Sequence, residues 1–305
     1  MRRIDWIWIT VLGVGWGAAF FCNEILLREL GPVSVSAARI GVAALAAWGL
    51  LIVFRRPVWF PPKRLLQMGI FGMAMYGLPF AIFPIGQQWI TAGAAGIINA
   101  LTPIMVVIVS QLWPGGERAT PLKVLGVLAG FGGIVLLSVP ALQAGGQSEL
   151  GGIFLSIFAP LCYGIALNYV RRLADVDRLS LLAWSLSLST LGIGTVALTL
   201  EGAPASLSAQ GWAALLVVGV ALTAIAFAIF YWLLPRVGAT RLSTVTFIAP
   251  VSAVMLGILF LGETMNAWKA GGMAAIFLGI LLIDGTFFQR LGRGLQKSPK
   301  DQPLG

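Results

Sequence analysis

The chain has 305 residues, 58% of them hydrophobic and only 10% charged, with a formal net charge of +9. A soluble globular domain carries about 25% charged residues to face water, so this composition excludes one, and a mean hydropathy of +0.93 puts lipid at the surface. In a soluble chain the positive charge would point to nucleic acid, but here the basic residues lie between apolar runs, where membrane topology and lipid head groups account for them.

A bilayer core of about 30 Å needs about 20 apolar residues per helix. Ten such runs are predicted, at roughly 5–27, 32–54, 64–86, 89–112, 121–139, 150–170, 177–199, 210–233, 240–260 and 268–287. Arg2 and Arg3 precede the first run, which is too long for a signal-peptide core and reads as a span. Within it Trp16, Phe20 and Asn23 form one helical stripe, with Glu24 beside them. The second span contains Arg39. A charge inside a span is costly unless paired or solvated: an arginine snorkelling to the outer interface is the first reading, and a pair with Glu24, which lies at a similar depth, is the second.

The third span places Tyr76, Phe80, Phe83 and Gln87 at i, i+4, i+7 and i+11, again one stripe. The fourth has Pro103 in mid-helix, which frees the carbonyl of Asn99. The fifth carries Gly126, Gly130 and Gly133; recurring small residues such as Gly126/Gly130, and Gly13/Gly17 of the first, read as close helix contacts. In the sixth, Tyr163 and Leu167 answer the Trp16 stripe. The eighth carries Thr223, Phe227, Phe230 and Tyr231. In the ninth, Pro250 frees the carbonyl of Thr246. Freed carbonyls are tolerated in a membrane only when protein or cavity water satisfies them, so the two prolines are candidate kinks of a cavity wall or gate, with local capping as the bland alternative. Residues 289–305 form a polar tail, expected to be disordered.

The eighth span repeats the third. Phe80-Ala81-Ile82-Phe83 recurs as Phe227-Ala228-Ile229-Phe230, an offset of 147, at which Ala92 meets Ala239 and Pro103 meets Pro250. With one residue removed, Glu117, Lys123, Gly126, Gly133 and Ile134 fall on Glu263, Lys269, Gly272, Gly279 and Ile280. Residues 1–140 and 150–288 are therefore two five-span halves, and because five is odd the second enters the membrane inverted. The fold expected is an all-α polytopic membrane protein of ten helices in two inverted repeats. Seventeen of the twenty lysines and arginines lie in one set of connections, which places both termini in the cytoplasm. Inverted repeats are the signature of alternating-access carriers, whose site lies near the midplane between the halves.

Gly116-Glu117-Arg118 and Gly262-Glu263-Thr264 each precede a glycine-rich last helix of a half. These elements, the five-plus-five repeat and the Trp16-Gly17 pair resemble the drug/metabolite transporter superfamily in its EamA branch, over nearly the whole chain. Within that branch the chain looks like exporters of the YddG type, which favour aromatic amino acids. The resemblance implies export of a small solute across a bacterial inner membrane without ATP. Glu117 and Glu263 precede helices, where a carboxylate complements the N-terminal dipole, and a structural role is expected of both.

Aromatic walls with a few polar groups suit an amphipathic organic solute. The substrate-binding candidates are Trp16, Asn23, Tyr76, Phe80, Phe83, Asn99, Tyr163, Phe227, Tyr231 and Thr246, with Pro103 and Pro250 as gating kinks and Glu24 and Arg39 as a charge pair. Ordinary helix packing is the bland explanation of each aromatic alone. There is no histidine, and Cys22 and Cys162 sit singly in apolar segments, so no metal, cofactor or enzymatic chemistry is expected. The expected partners are a small-molecule substrate and membrane lipids, with no nucleic acid, in a monomer or homodimer. A carrier of the same fold for a nucleotide sugar or a cationic drug, and a channel or non-transporting partner subunit, are the alternatives.

Overall fold

The structure is a computed structural model that describes residues 3–114, 120–204, 206–238, 242 and 244–284. Among these residues there are ten long helical segments and no strand. They are α1 (Arg3–Leu26), α2 (Pro32–Val53), α3 (Pro62–Gly86), α4 (Ala92–Leu112), α5 (Pro121–Ala144), α6 (Gln147–Leu173), α7 (Arg178–Leu200), α8 (Ala209–Val237), α9 (Val245–Leu261) and α10 (Ala267–Asp284). The first eight have 21–29 residues, at 1.5 Å per residue enough to cross about 30 Å of hydrocarbon. The 17 and 18 residues of α9 and α10 sit at the short end of the spanning range.

The helix starts follow from side-chain chemistry. Prolines open α2, α3 and α5, where a missing N–H costs nothing. Thr91, Thr120, Asp177 and Ser208 accept hydrogen bonds from the first free amides of α4, α5, α7 and α8. The fourth span accordingly begins at Ala92, later than the apolar run at 89 suggests. Gly145 and Gly262 close α5 and α9 in the left-handed region, at φ 68° and 70°, a geometry that costs a glycine little.

Packing makes the inversion visible. A Cβ on Gly126 would lie 2.6 Å from the carbonyl oxygen of Gly279, and one on Gly133 would lie 2.6 Å from that of Gly272. Gly126 corresponds to Gly272 in the repeat and Gly133 to Gly279. Each glycine thus meets the counterpart of the other, the pattern a two-fold axis produces. The same relation holds elsewhere. Gly17 of α1 abuts Ser252 of α9, and their counterparts Gly164 and Met105 abut one another between α6 and α4. Gly72 meets the Ser185 backbone of α7, as its counterpart Gly219 meets that of Arg39 in α2. Because lipid offers no hydrophobic drive between helices, such close backbone approach is what holds the halves together. The glycines read as helix contacts therefore serve as such, and the two halves are related as the repeat requires.

Both mid-helix prolines lie as placed, with different outcomes. The fourth span breaks at Ala100–Leu101, and Thr102 Oγ1 donates 2.7 Å to the Asn99 carbonyl that Pro103 leaves free. Pro250 lies inside a continuous α9. The Gly116-Glu117-Arg118 element, Arg2, Arg241 and the tail 289–305 lie outside the described residues.

Candidate functional site

The third and eighth spans share a local feature that hydropathy does not reveal. Met73–Gly77 in α3 and Val217–Ile225 in α8 are both π-helical, and at the repeat offset the first falls inside the second. A π-turn closes i→i+5 instead of i→i+4 hydrogen bonds and so widens the helix, and such bulges are frequent at functional sites. Tyr76 sits in the first bulge and Thr223, its counterpart, in the second. Thr223 Oγ1 donates 2.7 Å to the Val218 carbonyl, satisfying an oxygen of its own bulge.

Around these two bulges the aromatic side chains of both halves converge. The Tyr76 ring meets Phe227 edge-on with centroids 5.0 Å apart, and the Tyr76 and Tyr231 hydroxyls are 3.1 Å apart. Trp16 lies 5.3 Å from Phe227 and 5.5 Å from Phe230. Phe80 packs 6.0 Å from Tyr76 on the other side. Tyr163 is half-buried and packs against the two largest apolar clusters of the molecule. The Trp16 indole Nε1 is buried without a hydrogen-bond partner among the described residues.

Arg39 completes this group, and here the sequence expectation is corrected. It does not pair with Glu24 and does not reach an interface. The residue is only 5% exposed, its Nε donates 3.0 Å to Thr223 Oγ1, and its guanidinium carbon lies 3.6 Å from the centre of the Phe80 ring. Glu24 instead accepts from Gln87 Nε2 at 2.9 Å. Gln87 also donates to the Phe20 carbonyl and accepts from Asn23 Nδ2, each at 3.0 Å. Depth along a helix does not fix the direction a side chain faces: α2 turns Arg39 toward the bulge of α8, while α1 turns Glu24 toward the end of α3.

The candidate residues thus divide into groups. Trp16, Tyr76, Phe80, Phe227 and Tyr231 form one aromatic cluster, joined by Arg39, Thr223 and Phe230. Asn23 belongs to the separate Gln87–Glu24 network, and Phe83 stacks edge-on with Phe20 at 5.0 Å. Asn99 is half-buried beside the break in α4, its side-chain oxygen unpartnered among the described residues. Thr246 is half-buried in the first turn of α9, next to a Phe247 that packs on Phe277 of α10. Arg39 and Thr223 stand outside the substrate-binding candidates that the sequence gives, although Thr223 is the repeat counterpart of Tyr76 and Arg39 is a charge inside a span.

At the face away from the N-terminus, carboxylates of one half close onto helix starts of the other. Glu201 accepts from the amides of Val33 and Ser34 at 2.9 and 2.8 Å, and Glu263 from those of Ala92 and Gly93 at 2.7 and 3.0 Å. Glu29 accepts from the Ser208 amide and hydroxyl, both at 2.6 Å, and these bonds hold its carboxyl below the usual carboxylate range. Glu263 therefore does complement a helix N-terminus, but that of α4 in the other half, not of the helix it precedes. At the opposite face Arg64 of α3 pairs with Asp175 at 2.8 Å, and Arg56 with Asp177 at 3.6 Å.

The model of the EamA-like transporter family matches residues 4–139 and again 150–284, one copy per half. The chain belongs to the EamA-like transporter family. An uncharacterized transporter of Archaeoglobus fulgidus is 24% identical over 91% of this chain and 98% of its own length. The uncharacterized transporter YvbV of Bacillus subtilis is 26% identical over 90% of each chain, and an uncharacterized protein of Pseudomonas aeruginosa is 28% identical over 95% and 96%. A crystal structure of another protein superposes on 97% of this chain and 100% of its own with a TM-score of 0.67 at 19% identity, a likeness of fold. This EamA-like transporter is thus a ten-helix membrane protein of the drug/metabolite transporter superfamily, and its relatives are transporters rather than enzymes.

Proposed function

We propose that this protein is a secondary transporter that exports amino acids, aromatic and other neutral ones, or similar small metabolites across the bacterial inner membrane by alternating access. The observation that carries the reading is the buried aromatic cluster at the two matched π-bulges, to which both inverted halves contribute. A site there touches elements of each half, so a solute bound in it is sensitive to their relative rocking. The rings supply stacking walls, and Arg39, Thr223 and the tyrosine hydroxyls supply the few polar groups that orient an amphipathic solute.

The residues named at this site are Trp16, Tyr76, Phe80, Tyr163, Phe227 and Tyr231, with Arg39 and Thr223 added. Asn23 and Asn99 are second-rank candidates on the route to it, and the break at Pro103 is the candidate hinge. The carboxylate ties of Glu29, Glu201 and Glu263 are the closures of one gate. The excess of basic residues on the termini side supports an orientation with that gate at the outer surface and both termini in the cytoplasm.

Counterflow in proteoliposomes tests the reading. Vesicles preloaded with unlabelled tryptophan, phenylalanine, threonine or a nucleotide sugar are offered the labelled form. Saturable counterflow of an amino acid supports a carrier with this substrate class. Counterflow of a nucleotide sugar alone keeps the carrier and overturns the substrate, and flux without saturation or counterflow favours a channel.

A further inference from the structure

Resting on that reading, we propose that Arg39 is the carboxylate anchor of the transport site, so that the carried solutes are aromatic or apolar molecules bearing a carboxylate. Burying an arginine away from water is costly, and the cost is ordinarily met by a carboxylate and by satisfied donors. Arg39 has neither in full. Of its five N–H donors, only Nε is engaged, by Thr223 Oγ1, and Phe80 covers one flat face of the guanidinium. No hydrogen bond or ion pair reaches either Nη among the described residues.

The titratable groups whose charge bears on it are Tyr163 and Cys22, neither of them a carboxylate. Glu24, the acid at a similar depth in α1, is held by Gln87. What remains is a planar fork of donors in an apolar site, which matches a carboxylate bidentately.

Position gives the rest of the solute. Thr223 and Phe80 fix the guanidinium between the two bulges, and the Phe80 ring leads through Tyr76 to Phe227. A carboxylate on the fork sets an attached apolar group against these rings. An uncompensated buried cation also repels cationic solutes, which disfavours cationic drugs. A single arginine leaves a nucleotide diphosphate, with its two or more charges, undercompensated.

The test uses the full-length protein in proteoliposomes and labelled phenylalanine, read both as equilibrium binding and as counterflow. Phenylacetate and phenethylamine are the competitors: one keeps the carboxylate, the other only the amine. Phenylacetate is expected to compete about tenfold or more better than phenethylamine, the fold-change that corresponds to one charge-assisted hydrogen bond. Arg39→Gln is expected to erase that preference and Arg39→Lys to retain part of it. Because Arg39→Gln can fail to fold, the wild-type competition ratio and Thr223→Val, which frees the guanidinium to turn, are read as well; Thr223→Val is expected to narrow the ratio. Equal competition by the two compounds, or an unchanged preference in folded Arg39→Gln, overturns the anchor while phenylalanine counterflow leaves the carrier standing. Carboxylate-selective binding without counterflow supports the anchor and overturns the carrier. Absence of both binding and counterflow for phenylalanine and phenylacetate overturns both.

Discussion

The hydroxyls of Tyr76 and Tyr231 lie 3.1 Å apart, one from each inverted half, at the base of an aromatic cluster into which both π-bulges turn. Removing one partner of a buried hydrogen bond leaves the other unsatisfied, at about 1–3 kcal/mol, whereas removing both is nearly neutral. Tyr76→Phe and Tyr231→Phe should each lower the thermal stability of the purified protein, and the double variant should cost less than their sum. A double variant whose loss equals the sum would show that the two hydroxyls act independently.

The glycine contacts between α5 and α10 give a prediction with an internal control. A Cβ at position 133 would meet the Gly272 carbonyl at 2.6 Å, and backbone cannot step aside, whereas at Gly132 there is no heavy atom within 4 Å. Gly133→Ala should destabilise the protein by about 1–3 kcal/mol, the usual cost of overpacking. Gly132→Ala should be neutral or slightly stabilising, since alanine is the better helix former. Equal unfolding temperatures for the two variants would show that α5 and α10 do not cross as closely as the Gly133–Gly272 contact requires.

Much of this architecture is legible in the residues themselves. The ten apolar runs, the Phe80–Phe83 and Phe227–Phe230 repeat and the paired glycines each report a property that one dimension carries: length, recurrence and small size. What a helix faces is another matter. Glu24 and Arg39 share a depth, yet rotation of α1 and α2 sends them to Gln87 and Thr223. The π-bulges add one residue per turn without any hydropathy signature, and they bring Thr223 within reach of Arg39. In sequence Glu263 adjoins only the helix that it precedes; the start of α4, whose amides it accepts from, adjoins it only in three dimensions.

The ties at the face opposite the N-terminus should govern how readily that face opens. Glu201→Ala frees the amides of Val33 and Ser34, and loss of such a cap costs about 0.5–2 kcal/mol. In a Cys162→Ser background, Glu201→Ala should raise the maleimide labelling rate of buried Cys22, which lies on α1 near that face in an apolar cluster shared with α2 and α8. Unchanged labelling would mean that the tie does not restrain this gate.

The Glu29–Ser208 tie is the pH-dependent one. Its hydrogen bonds lower the folded-state value of the carboxyl. The contribution is therefore fully present above the ordinary carboxylate value and is lost as pH falls through the lowered folded one. The difference in thermal stability between the wild type and Glu29→Gln should be constant at neutral pH and vanish on acidification below the ordinary carboxylate range. A difference that grows on acidification would have the wrong sign for this tie.

The proposed solute site is the aromatic cluster between the halves. Its most direct test is tryptophan counterflow through proteoliposomes containing wild type, Phe227→Leu or the control Leu128→Ala, each shown by size exclusion to be folded. Phe227 is buried at the heart of the cluster, and Leu128 is 62% exposed on the lipid-facing side of α5. Loss of about 1 kcal/mol or more of aromatic contact predicts counterflow reduced at least about fivefold in Phe227→Leu and unchanged in Leu128→Ala. Wild-type counterflow in both variants would contradict the assignment and place the solute elsewhere in the bundle.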